Sequence, residues 1–291
     1  MKKNGKWAAA FFVLILILII LYVVSLILPF LWGVMTSLKD RSDYVLNPYG
    51  LPKRWMFSNY TFVFSKFFIP GTANAPKDVY FERLLLNTII YTLGVSFFGT
   101  FTKMIAAYAT AKFDYKFSGF VYGLVLFLMV LPIVGSLPAE LAMARSLKIY
   151  DTFIGMFIMK AHFLGVYFLV FHATFKSMPK DFSEAAYIDG ASNLRVLTTI
   201  VFPMTSTVFF TIMLINFIAA WNDYQTPMLY IPSNPTLAYA MFFFEKSTDN
   251  ELSSVPMKLA GCMTLLVPIL VIFLVFHNRL IGNISLGGLK E

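Results

Sequence analysis

Between Ala8 and Met35 the chain carries no charged side chain. That run is about twice the length of the apolar core of a signal peptide, and no small-residue cleavage site follows it, so it is expected to stay attached as a membrane span. A bilayer core about 30 Å thick takes about 20 apolar residues per helix, and five more runs of that kind follow. The expected spans are 8–35, 84–111, 119–137, 152–175, 204–225 and 259–278. Of the 291 residues only 13% are charged and 58% are apolar, with a mean hydropathy of +0.73. An ordinary soluble domain has roughly 25% charged residues, so this chain is neither a soluble globular enzyme nor a disordered polymer. The expected fold is all-α: an integral membrane protein of six transmembrane helices, forming one transmembrane domain over residues 1–291.

Six spans put both termini on one side of the bilayer. The segments on that side hold ten Lys and Arg residues in about 55 positions, against eleven in about 95 on the other side. The positive-inside rule therefore places both termini in the cytoplasm. The formal charge of +8 is read as membrane orientation, not as nucleic-acid binding. Cys262 is the single cysteine and lies in an apolar run, which excludes an intrachain disulfide. Pro29, Pro132 and Pro268 fall inside spans, where a proline removes a helix hydrogen bond and invites a kink. The long segments 36–83 and 226–258 lie on the external side and carry loop signals such as Asn47-Pro48; the first is expected to form an ordered cap.

The cytoplasmic segment 176–203 is the most informative. Asp181 followed by Glu184 resembles a capping box, and Gly190 suits a left-handed stop, so a short helix is expected over 182–189. A second helix follows, with Ser192 as N-cap and Val196, Leu197, Ile200 and Val201 on one face, until Pro203 opens the fifth span. Ala185 and Ala186 offer no bulk, so the helix backbone can approach a partner closely. On these local grounds an interfacial helix without a partner, with Glu184 acting only as a cap, is equally consistent.

The spacing distinguishes the two. Glu184-Ala185-Ala186, three residues, Gly190, nine residues, Ile200, one residue, Phe202-Pro203 closely resembles the EAA motif of ATP-binding-cassette (ABC) importer permeases, with Phe202 where the motif has Leu. Asn87-Thr88, Ala106-Ala107-Tyr108-Ala109, Ala220-Trp221-Asn222-Asp223 and the tail Ile284-Ser285-Leu286-Gly287-Gly288-Leu289-Lys290 look like the carbohydrate-uptake branch of these importers. The tail is similar to that of the smaller membrane subunit of maltose-type systems.

The resemblance implies a type I ABC importer-like permease fold with a cytoplasmic coupling-helix loop over 176–203. It implies a prokaryotic inner or plasma membrane location and a second six-span permease subunit as partner. It further implies a cytoplasmic ABC ATPase dimer that holds ATP and Mg, and an extracytoplasmic substrate-binding protein. The chain has no Gly-x4-Gly-Lys-Ser/Thr phosphate loop of its own, so no cofactor is expected on it. Glu184, Ala185, Ala186, Asp189, Gly190 and Pro203 are the implied ATPase-coupling residues. By the same likeness, loop 226–258 meets the binding protein and tail 283–291 lies along the ATPase.

Polar groups inside spans are costly and mark candidate sites: Lys103, Lys160, His162, His172, Asn216, Asn222 and Asp223. Asn216, Trp221, Asn222 and Asp223 combine an aromatic face with amide and carboxylate groups that suit a sugar's C–H surface and hydroxyls. Asp223 lies near a span end, where a solvated acid or a contact to a neighbouring subunit is an open alternative. Lys103 and Lys160 are expected to snorkel or to pair within the bundle. The histidines lack metal-site spacing, so no metal and no enzymatic chemistry is expected. The leading reading is a sugar-importing permease subunit; the alternatives are the same architecture for a peptide, polyamine or amino acid, or a membrane sensor or scaffold.

Overall fold

The computed structural model describes residues 4–71, 77–113, 115–131, 135–247 and 252–281. In chain order the helices are α1 (Asn4–Ser37), α2 (Arg41–Leu46), α3 (Ser58–Lys66), α4 (Phe81–Lys112), α5 (Ser118–Val130), α6 (Leu137–Ser146), α7 (Phe153–Lys160) and α8 (Val166–Ser177). They continue with α9 (Asp181–Ile188), α10 (Asn193–Val196), α11 (Phe202–Asn222), α12 (Gln225–Tyr230), α13 (Leu237–Glu245) and α14 (Val255–Ile281). A two-stranded antiparallel ribbon, β1 (Phe68–Ile69) and β2 (Val79–Tyr80), pairs Phe68 with Tyr80.

Among the described residues four helical stretches are long and apolar enough to cross a membrane: Phe11–Ser37, Phe81–Lys112, Asn193–Asn222 and Val255–Val275. They coincide with the first, second, fifth and sixth expected spans. The third is represented by the shorter apolar helix α5, and Pro132 lies outside the described residues. The fourth is corrected: 152–175 is not one helix. It breaks after Lys160 and resumes at Val166, with Gly165 at φ 114° and ψ 175°. That backbone region is essentially closed to residues with a Cβ, so the glycine sets where the second helix begins.

The fifth span also differs from expectation at its start. Helix runs unbroken from Asn193 to Asn222 through a π turn at Leu197–Val201, in which Phe202 N–H bonds the Leu197 carbonyl. Pro203 has no N–H, and its ring would crowd the carbonyl four residues earlier. Widening the preceding turn relieves that conflict without ending the helix.

The chain forms two compact units, residues 1–67 with 241–267, and residues 68–240 with 268–291. In the first unit the segment after α1 folds back on the end of that helix. Asn59 Nδ2 donates to the carbonyls of Ser37 (2.8 Å) and Lys39 (2.9 Å), and Tyr60 Oη shares a hydrogen bond with Ser37 Oγ. Lys39, wholly buried, donates to the Asn47 carbonyl at 2.6 Å. Asn59 thus satisfies the last carbonyl of α1, one of those that a helix end leaves open, and together the bonds order the segment as far as it is described.

In the second unit α4 is the central helix, packed against α8, α11, α7 and α5. Its Thr88, Thr92, Ser96 and Thr100 recur every fourth residue and are all buried. The first three donate their hydroxyls to the carbonyl four residues back, so a polar stripe can face neighbouring helices closely without an unsatisfied proton. Thr88 Oγ1 also accepts from Leu237 N–H, and Asn87 donates to the Pro235 carbonyl, which ties the 231–237 segment to the start of α4. Around the other end of α4 lies the main apolar core, including Met104, Tyr108, Phe168, Phe171, Phe175, Val196 and Phe209.

Candidate functional site

Two features of the second unit carry chemistry. The first is the α9–α10 corner. Helix α9 ends in a complete Schellman turn: Gly190 N–H bonds the Tyr187 carbonyl, Ala191 N–H bonds the Ala186 carbonyl, and Gly190 sits at φ 79°. This left-handed stop is what the glycine implied. Ala186 and Ala191 pack on the main core, while Lys112 Nζ holds the Met178 carbonyl at 2.9 Å. Ser192 caps α10 by accepting from Arg195 N–H. Val196 and Val201 are buried, with Leu197 and Ile200 partly buried beside them. The corner is thus fixed at its base while none of α9's residues is fully buried.

The expected capping box does not form. Lys180 is already in helical conformation at the N-cap, without a side-chain cap. The Glu184 carboxylate therefore points to no backbone N–H, and it makes no hydrogen bond or ion pair among the described residues. Glu184, Ala185 and Asp189 are exposed, and Phe182, Ile188 and Leu194 are 52, 87 and 70% exposed. An acid among exposed apolar side chains on a rigidly held helix is a surface suited to a protein partner. Pro203 lies in the first turn of α11.

The second feature is a cavity of about 290 Å³ walled by α4, α7, α11 and the break between α7 and α8. Tyr91, Lys103, Lys160, His162, Asn216 and Asp223 line it. Of the four residues proposed from sequence it takes in Asn216 and Asp223 and leaves out Trp221 and Asn222. At 100° per residue, seven positions turn about 700°, which returns Asp223 to the face of Asn216, whereas Trp221 lies about 140° away. Trp221 is buried in packing against Phe217, and Asn222 is exposed and bonds its own helix at Ile218.

Asp223 is partly exposed at the end of α11 and is held there by two hydrogen bonds. Its Oδ2 accepts from Tyr91 Oη at 3.1 Å and its Oδ1 from Thr226 N–H at 2.9 Å. Asn216 donates to Thr100 Oγ1 at 2.9 Å. Lys103 does not snorkel: it is buried and donates to the carbonyls of Gly99 and His162, each at 3.1 Å. The His162 carbonyl belongs to the break, so the ammonium satisfies a backbone group that the interrupted helix leaves open. Buried irregular backbone is tolerated only where its polar groups find such partners. Sequence reasoning named Lys103, Lys160 and His162 but missed Tyr91, whose signal was a phenol buried on the helix that carries the polar stripe.

Beside the cavity, Glu140 of α6 accepts from Tyr230 Oη at 2.8 Å. The Ser136 hydroxyl, and after it Tyr230, holds the Glu140 carboxyl below its usual value of 4.5, while burial, then the adjacent carboxylate, pushes Tyr230 up to about 12. A lowered acid stabilises the fold above its unfolded pKa and loses that contribution as pH falls through the folded value; a raised phenol does so below about pH 10 and loses it as pH rises. Tyr230→Phe is expected to cost about 1 kcal/mol at neutral pH. The difference from wild type should shrink below pH 4.5, as read by thermal unfolding across a pH series. A constant difference across the series would overturn the assignment.

Residues 99–279 match the family model described as binding-protein-dependent transport system inner membrane component. The chain is 25% identical over 273 residues to the diacetylchitobiose uptake system permease protein of Streptomyces coelicolor, covering 93% of this chain and 86% of that one. It is 27% identical over 281 residues to the melibiose/raffinose/stachyose import permease protein of Bacillus subtilis, covering 90 and 91%. A solved bacterial ABC transporter involved in import of the acidic polysaccharide alginate shares the fold, with a TM-score of 0.76 at 20% identity over 96% of this chain and 98% of that one. With the family model spanning more than half its length, the chain belongs to the inner membrane components of binding-protein-dependent transport systems.

Proposed function

We propose that the chain is a permease subunit of an ATP-driven importer that carries a sugar or oligosaccharide into the cytoplasm by alternating access. It crosses a prokaryotic cell membrane six times with both termini in the cytoplasm, α5 and the α7–α8 pair supplying the third and fourth passages. A second permease subunit completes the pathway, an ABC ATPase dimer binds ATP and Mg, and an external binding protein delivers the cargo. Support for the sugar comes from curated relatives named for uptake of oligosaccharides. The tail 283–291 lies outside the described residues.

The observation that carries the mechanism is the α9–α10 corner. Its base is held by Lys112, Ala186 and Ala191, its outer face is open, and its helix continues without a gap into α11. A partner that moves α9 therefore moves a membrane helix as a lever, a transition between two packed arrangements. In this reading Glu184, Ala185, Asp189 and Gly190 meet the ATPase, Ala186, which packs on the core, holds the helix that presents them, and Pro203 marks where the lever enters the span. Asn216 and Asp223 border the cargo path, and Trp221 and Asn222 flank it.

Gly190→Pro is the direct test. Proline is confined to φ near −65°, so the substitution destroys the Schellman turn at φ 79°. The Cβ itself meets nothing within 4 Å, so the bundle is expected to remain assembled. In the purified complex in lipid, stimulation of ATP hydrolysis by binding protein with sugar should fall to the basal rate, on the order of a tenfold loss. Stimulation equal to wild type would overturn coupling through this corner, and failure of any ATPase to co-purify would overturn the importer reading.

A further inference from the structure

The cavity holds an ammonium group without a hydrogen-bond partner among the described residues. Its one carboxylate, Asp223, already has both oxygens engaged, by Tyr91 and Thr226. Lys103 places two of its three protons on carbonyls. Lys160 lines the same cavity and its ammonium makes no hydrogen bond or ion pair among the described residues. Glu140 lies within electrostatic reach of Lys160, but its carboxylate is engaged by Ser136 and Tyr230. Two ammonium groups thus face the cavity, with the Asp223 carboxylate in its lining and the Glu140 carboxylate beside it, and the Lys160 ammonium keeps its hydrogen-bonding protons open to the space.

We propose that this cavity receives an acidic sugar, with the cargo's carboxylate seated on Lys160. The proposal rests on the carbohydrate-import reading above and names its substrate class. Lys160 supplies a charge-assisted hydrogen bond and the third proton of Lys103 a second. The Asn216 carbonyl and the Tyr91 oxygen remain to pair with sugar hydroxyls. A neutral sugar would offer the Lys160 ammonium no anionic hydrogen-bond partner, so binding favours the anion by the attraction between one ammonium and one carboxylate in a partly screened site.

The experiment is calorimetric titration of the full-length chain, with the permease and ATPase subunits that co-purify but without binding protein, in lipid nanodiscs. The probes are trigalacturonate and, as the neutral match, maltotriose. Trigalacturonate should bind on the order of tenfold more tightly than maltotriose. Lys160→Met should remove that preference, while Lys160→Arg should keep most of it. Equal affinity for the two probes, or an unaltered preference in Lys160→Met, overturns the acidic-sugar proposal and leaves sugar import standing. Binding of neither probe, together with ATP hydrolysis that responds to a non-sugar solute instead, overturns both. Loss of the second permease subunit from the Lys160→Met complex on gel filtration would assign Lys160 to an acid of that subunit and would also overturn the proposal.

Discussion

Gly155→Ala should destabilise the protein by about 3 kcal/mol, the largest effect of any single methyl group considered. Gly155 lies in the first turn of α7, where its N–H bonds Thr152 Oγ1 at 3.0 Å and the same hydroxyl donates to the Ile149 carbonyl at 2.8 Å. A Cβ at this position would stand 1.9 Å from the Ile149 carbonyl oxygen, and that oxygen belongs to backbone that cannot give way. The turn before it is already tightly determined. Lys148 and Asp151 hold positive φ without being glycine, Asp151 N–H bonds the Tyr230 carbonyl, and Asp151 Oδ1 accepts from Ser233 N–H. Thermal unfolding of the detergent-solubilised protein, followed by gel filtration, should show the loss. Gly119→Ala, whose Cβ meets nothing within 4 Å, serves as the control and should be no less stable than wild type. An equal loss in both variants would mean that the Ile149 contact is not the cause.

Lys103→Met should cost about 1–3 kcal/mol, the penalty for leaving a buried carbonyl without its donor. The loss should be local. The His162 carbonyl at the α7–α8 break loses the ammonium that it accepts from, whereas the Gly99 carbonyl lies within helix α4. Hydrogen exchange of the backbone amides between Phe163 and Gly165 should accelerate, while amides of α4 and α11 keep their protection. Met matches the length and stem of Lys, so packing loss is small. Unchanged exchange at the break would show that the ammonium is not what holds it. Transport should weaken together with this local loosening, because the same carbonyl and ammonium border the cavity.

Much of the α9–α10 corner was legible along the chain because its determinants are local. A left-handed stop needs glycine at one position, and a cap needs a hydroxyl three residues before the N–H it satisfies; Gly190 and Ser192 meet these conditions. The capping box failed for a reason that is also local, since the helix starts one residue earlier than the pattern indicated. The pairing of Asn216 with Asp223 was available from helical arithmetic, and it was the attraction of a contiguous Trp-Asn-Asp triplet that obscured it. A run of adjacent polar residues on a helix faces several directions and cannot form one site.

The sequence by itself determined that the chain lives in a membrane, where its long apolar helices lie, and how the α9–α10 corner turns, because hydropathy, capping and backbone handedness act over one span or one turn. Only the tertiary structure decided that the fourth apolar run is interrupted, that Lys103 is a structural donor, that Asp223 accepts from Tyr91, and that Lys160 is left facing a cavity. A broken helix in lipid is stable only when another part of the fold satisfies its open backbone. Here that proton comes from a residue 59 positions earlier in the chain, a distance over which periodicity and propensity carry no information.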